Sequence, residues 1–134
     1  MILTRKGDYG VRAILYLAKQ PPGKVSTVKE ISDAMDIPSM FLAKVMRQFE
    51  KKGFVLSKRG ISGGYMLARP PTSITLREVI ETIEGPIEIN KCLKKKAPCH
   101  RKKECVAAPV WEVIQRNFIT DLDDYTIRKI LDAE

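Results

Sequence analysis

Residues 39–67 read SMFLAKVMRQFEKKGFVLSKRGISGGYML, and this stretch decides the fold. In its first half Leu42, Val45, Met46 and Phe49 recur at i, i+3, i+4 and i+7, drawing one apolar stripe along a helix from Ser39 to Lys52. Ser39 reads as the N-cap and Gly53 as the residue that ends the last turn. The opposite face carries Met40, Ala43, Lys44, Arg47 and Lys51, which are small or basic. Phe54-Val55-Leu56 then reads as a short strand, Lys58 to Gly64 as a charged, glycine-rich turn, and Tyr65-Met66-Leu67 as the returning strand of a hairpin.

Working upstream, Gly10, Ala13, Ile14 and Leu17 mark a first helix over Lys6 to Lys19, stopped by Pro21-Pro22-Gly23. A short second helix follows, capped at Ser26-Thr27. Glu30 is spaced to close a capping box, and Val28, Ile31 and Met35 face inward. Three helices and a hairpin, in that order, describe a winged helix-turn-helix. The third helix has the division that a major groove requires: an apolar face for its own core, and a small and basic face for phosphates and base edges. Ser39, Met40, Lys44 and Arg47 are its candidate contacts. Lys58 and Arg59, on a narrow loop with Gly60, Gly63 and Gly64, suit a minor groove.

Working downstream, Pro70-Pro71 leads to a helix from Leu76 to Glu84, stopped by Gly85-Pro86. Residues 87–105 have no clear period. A helix runs from about Pro109 to Asp121 or beyond, and a short one lies near Thr126 to Leu131. The expected organisation is a DNA-binding domain over 1–84, a cysteine-containing loop over 85–108, and C-terminal helices over 109–134.

The charge agrees with that division. The chain of 134 residues has a formal net charge of +8, and residues 1–69 supply all of it, with 13 Lys and Arg against 5 Asp and Glu. Residues 70–134 balance at 11 against 11. A basic half joined to a neutral half fits a polyanion-binding module with an appended sensor. No apolar run approaches the roughly 20 residues of a membrane span, and the first residues lack the apolar core of a leader. The expected compartment is the cytoplasm, with no membrane partner.

All three cysteines fall in one window, Cys92, Cys99 and Cys105. An odd count at this spacing cannot close a disulfide framework. Thiolates are soft ligands for iron–sulfur clusters, zinc or copper(I). Lys91, Lys94, Lys95, Lys96, Arg101, Lys102 and Lys103 surround them and favour the thiolate form. Paired zinc knuckles are absent, and His100, beside Cys99, reads as a solvated loop residue. An iron–sulfur cluster, zinc and a thiol switch all remain open on spacing alone.

The chain resembles the IscR/NsrR-type winged-helix regulators of bacteria, essentially end to end. The resemblance rests on Leu3 to Gly10 with Arg12-Ala13, on Arg59-Gly60-x-x-Gly63-Gly64-Tyr65, on the three cysteines, and on Trp111 with Leu122 to Thr126. It implies a sequence-specific operator-binding homodimer, mainly α with a small β-hairpin wing and a long C-terminal dimerisation helix. Ala107, Trp111, Ile114 and Phe118 fall at i, i+4, i+7 and i+11, an apolar stripe suited to such a seam.

The resemblance further implies that Cys92, Cys99 and Cys105 ligate an iron–sulfur cluster. One branch of the family uses a histidine three residues after the last cysteine, where this chain has Ala108. The nitric oxide-sensing branch has an aspartate at the Asp8 position, able to reach a cluster in the other subunit. Asp8 is therefore the candidate fourth ligand, and 4Fe–4S is favoured over 2Fe–2S. An ordinary first-turn carboxylate, placed by the helix dipole, explains Asp8 equally well. No nucleotide loop and no Ser/His or Cys/His arrangement supports an enzyme acting on a small-molecule substrate. The rival reading is a cluster-free regulator controlled by thiol oxidation, zinc or a partner protein.

Overall fold

The apolar stripes of three helices meet in one core. In the computed structural model, which describes residues 3–134, α1 spans Arg5–Lys19, α2 Val28–Met35 and α3 Ser39–Lys51. Met1 and Ile2, at the start of the stretch read as lacking a leader, lie outside the described residues. Ala13 and Ile14 of α1, Ile31 of α2, and Leu42, Val45, Met46 and Phe49 of α3 are fully buried. The stripe read from residues 42–49 is thus the floor of the core. Phe49 meets Phe54 edge-on, with centroids 5.8 Å apart, just where the chain leaves α3 for the wing.

Local signals set most boundaries. Thr27 caps α2 by accepting from Glu30 N–H at 3.0 Å, and Glu30 Oε2 accepts from Thr27 N–H at 3.3 Å, completing the capping box. Asp36 ends α2 in the left-handed region, which aspartate tolerates. The reading of Ser39 as an N-cap is corrected. Pro38 holds that position, its carbonyl accepting the first bond from Leu42 N–H at 2.9 Å. Ser39 is already helical, and its hydroxyl pairs instead with that of Ser32 at 3.1 Å. Proline's fixed φ makes the turn that a side-chain cap would otherwise stabilise.

The wing is an antiparallel pair, β1 (Val55–Lys58) and β2 (Gly64–Leu67), in register Val55↔Leu67 through Lys58↔Gly64. A third segment joins it. Ser26 and Tyr65 exchange backbone bonds, Ser26 N–H to Tyr65 O at 2.8 Å and Tyr65 N–H to Ser26 O at 2.7 Å. This bridge explains Gly64, where a Cβ would sit 2.2 Å from the Ser26 carbonyl oxygen. The obstacle is backbone, so it cannot rotate away. Gly64→Ala is expected to cost about 1–3 kcal/mol by overpacking. The buried Ser26 hydroxyl has no hydrogen-bond partner among the described residues, so Ser26→Ala is expected to be neutral or stabilising. Urea midpoints for the two variants check both; a neutral Gly64→Ala would mean that the bridge is not held in solution.

α4 (Leu76–Glu84) carries a second capping box, Thr75 with Glu78, and packs against α1. Arg69 links β2 to it, stacking over Phe54 at 5.1 Å and pairing with Glu78 at 3.3 Å. Burial pushes the Glu78 carboxyl up, but the Thr75 and Arg69 bonds outweigh it and hold the group below its ordinary pKa. Short 3₁₀ turns occupy Pro71–Ser73 and Lys91–Leu93.

α5 runs over Ala108–Asp124, with only Ala108 and Leu122 buried along it. Ile80, Ile87 and Leu122 form a second, smaller cluster, and α6 (Ile127–Asp132) then returns to the first core. Leu76 N–H donates to Tyr125 O at 2.8 Å, Ile127 N–H donates to Ile74 O at 2.9 Å, and both isoleucines are fully buried. No described helix is long and apolar enough to cross a membrane.

Candidate nucleic-acid interface and cysteine loop

Solvent faces of α3 and the wing meet in a groove of about 420 Å³. Arg47, Lys58, Arg59 and Tyr65 are among its lining residues. Ser57 on β1 donates to Glu50 Oε1 on α3 at 2.6 Å and ties the two walls together. Burial raises the Tyr65 phenol above its ordinary pKa, Glu50 adding to the shift and Arg47 opposing it.

The structure brings Arg47, Lys58 and Arg59 to this one groove. Ser39, Met40 and Lys44 are exposed along α3 but do not line it. Met40 projects at 82 % exposure from the first turn, without packing to account for it. Glu50 and Tyr65, which shape the groove, were not among the expected contacts. Their signal was the spacing of Glu50 three residues beyond Arg47, a carboxylate on an otherwise basic face.

Asp8 sits in the first turn of α1 and is half-exposed. Arg12 grips it, Nε donating to Asp8 Oδ2 at 3.0 Å and Nη2 at 2.5 Å. The Asp8 bond raises the Arg12 pKa against a smaller opposing effect of burial. The remaining arm, Arg12 Nη1, donates to Met35 O at 2.9 Å, at the end of α2. Arg12 also lies over Tyr9 at 5.0 Å, and Tyr9 meets Phe41 of α3 edge-on at 5.3 Å. A chain of contacts therefore joins Asp8 to the turn before α3 and to α3 itself.

Of the cysteines, Cys92 is buried in the 3₁₀ turn, Cys99 is half-buried and Cys105 is exposed; none is in a disulfide. His100 is exposed. The donor types fit a thiolate-bound centre, being three soft ligands among seven cations. Their arrangement in the single chain does not assemble one. Among the described residues no three His, Cys, Asp or Glu side chains form a metal-binding group. Polar contacts join the loop to α5: Ile89 N–H donates to Gln115 Oε1 at 3.0 Å, and Lys102 pairs with Glu112 at 3.4 Å.

Trp111, Ile114 and Phe118 are exposed on α5, and so are Val110 and Val113. The apolar surface is therefore wider than a single stripe.

Comparison with known proteins agrees with this architecture. IscR of T. potens is 29 % identical with a TM-score of 0.79, the alignment covering 100 % of this chain and 89 % of that one. CymR (YrzC), the global cysteine regulator of B. subtilis, shares the fold at 24 % identity and TM-score 0.77, covering 100 % and 98 %. The oxidized form of Staphylococcus aureus CymR shares it at 22 % and 0.74, covering 97 % and 95 %. Residues 3–133 match the Rrf2 family, described as iron-dependent transcriptional regulator. With its winged-helix fold and a match over nearly its whole length, the chain belongs to the Rrf2 family of transcriptional regulators.

Proposed function

We propose that the protein is a dimeric regulator that reads a DNA operator with α3 and the wing, and whose occupancy is set by an iron–sulfur cluster. The observation that carries the DNA reading is the shared groove, where Arg47, Lys58 and Arg59 converge and outnumber its one carboxylate, Glu50. Lys44 extends the basic face along α3, with Ser39 and Met40 at its leading end. Four such cations on each head, eight in the dimer, displacing counterions give a log–log salt slope of roughly −7. An operator selected from a duplex pool with a randomised centre, titrated at several salt concentrations, measures that slope. Arg47→Ala, which removes one cation from each head, should flatten it by about two; a flat slope for the parent would remove the DNA reading.

Cys92, Cys99 and Cys105 are the residues that would hold the cluster, with Asp8 of the partner subunit as the fourth ligand and Trp111, Ile114 and Phe118 at the dimer seam. The bound group would supply an exchangeable, redox-responsive centre. The chain's own contacts supply the route to DNA. Drawing Asp8 away from Arg12 would release the guanidinium that holds Met35 O, loosening the turn ahead of α3. Reordering of the cysteine loop would reach α5 through Gln115 and Glu112. A few kcal/mol between two such arrangements changes operator occupancy strongly.

A second reading is favoured by the different burial of the three thiols: a cluster-free regulator in which the exposed Cys105 is the oxidisable group. Iron, acid-labile sulfide and the visible spectrum of anaerobically purified protein separate the two. Stoichiometric cluster that becomes labile in Asp8→Ala supports the first; colourless protein that resists reconstitution leaves the second.

A further inference from the structure

At the tip of the wing, Ile61 is fully exposed, at 109 % of its reference accessibility. We infer that Ile61 is an apolar wedge that the wing inserts into the minor groove, selecting an easily unstacked base step. The inference rests on the DNA reading proposed above and gives it a specificity-determining residue beyond the basic contacts.

Several features of the tip point the same way. Five residues, Arg59 to Gly63, connect the paired Lys58 and Gly64. Gly60 turns the chain at φ +111°, and Gly63 N–H closes the turn on Gly60 O at 3.0 Å. Gly63 packs so closely that a Cβ would lie 2.3 Å from Lys58 O. The tip is therefore thin and preset, with glycines on both sides of one branched side chain. A groove about 6 Å wide admits such a shape. Isoleucine is stiff at χ1, so it gives up little freedom on insertion.

The stem is also braced. β1 is tied to α3 through Ser57 and Glu50, and β2 is tied to the segment before α2 through Ser26. The tip stands on this stem with its isoleucine unpacked. Its immediate neighbours are Arg59, Gly60, Ser62 and Gly63. That setting favours a polyanion over an apolar protein surface: the cation meets a backbone phosphate or the groove wall while the apolar group meets the stacked bases. Pyrimidine–purine steps unstack most readily, so the wedge should prefer them.

The test uses the full-length protein and a duplex pool with a randomised centre. The parent should enrich a TA or CA step at the flank where the wing lands. Ile61→Ser should lose that preference, keep the major-groove half-site, and bind the best parental sequence about tenfold more weakly. Because no ionic contact is removed, its salt slope should equal the parent's, whereas Arg59→Ala, which removes one cation from each head, should flatten the slope by about two. Ile61→Met should restore both affinity and preference. A fluorescent adenine analogue placed in the selected step should brighten with the parent and stay dark with Ile61→Ser. Equal affinity and unchanged enrichment for Ile61→Ser overturn the wedge, as does a loss accompanied by a flatter salt slope. If the parent itself enriches nothing, the DNA reading falls, and the wedge with it.

Discussion

Trp111→Glu is expected to convert the protein to a monomer and to weaken operator binding by roughly 10²–10⁴-fold, with the salt slope per head unchanged. Trp111 shares an exposed apolar surface on α5 with Val110, Val113, Ile114 and Phe118. A contiguous patch of this kind, on a helix that buries Ala108 and Leu122 and packs Ile119 beside them on its other side, calls for a partner. A carboxylate buried at its centre without a counter-ion would oppose association. The effect on DNA follows from linkage rather than from any lost DNA contact. In a dimer the second reading head binds at an effective concentration near millimolar, and that gain vanishes when the heads separate. Sedimentation equilibrium reads the first consequence and titration of a selected palindromic operator reads the second. A variant that remains dimeric would place the seam elsewhere. A monomeric variant with full affinity would show that one head suffices.

Phe49→Ala is expected to cost about 3–5 kcal/mol, a large part of the roughly 5–15 kcal/mol that keeps a domain of this size folded. Phe49 is fully buried, meets Phe54 edge-on, and lies against Gly10 of α1, where a Cβ would come within 3.2 Å of its ring. Removing the ring therefore opens a void where α1, α3 and the start of the wing converge. Gly10, whose missing Cβ gives room first to Ile83 of α4 at 2.0 Å, has no side chain to fill it. Urea unfolding should show a much lower midpoint at unchanged slope. A loss below about 1 kcal/mol would mean that the core collapses onto the gap.

What could be read from the sequence was whatever is local and periodic. The stripe of Leu42, Val45, Met46 and Phe49 is the α3 floor of the core because a 3.6-residue period leaves little other choice. The Thr27–Glu30 box and the Gly85 stop carry their geometry in a few neighbouring residues. What escaped was non-local or purely backbone. The bridge between Ser26 and Tyr65 uses only main-chain atoms, so no side-chain pattern announces it; Gly64 is its one trace. Ser39 has the chemistry of a cap, but Pro38 already held the position.

The candidate site divides along the same line. Arg47, Lys58 and Arg59 share a groove because α3 and the wing are consecutive in sequence. Cys92, Cys99 and Cys105 are also close in sequence, yet a turn-rich loop does not force three side chains to one point, and they differ in burial from buried to exposed. The Asp8–Arg12 pair stands at the i, i+4 spacing that favours an ion pair on a helix. Its further reach to Met35 O could not be seen without the fold.

The return of α6 to the first core has a consequence for the order in which the protein is made. Ile127 completes packing begun by Ile14 and Leu42, and Thr126 bridges back to Thr75. A nascent chain that has emerged only as far as the wing holds every proposed DNA contact but an unsealed interior. The pieces that seal it follow the cysteine loop. Contacts of such long sequence separation form late, so a growing polypeptide offers no finished winged-helix core before its cysteine loop exists, and ribosomes stalled between the two would display none.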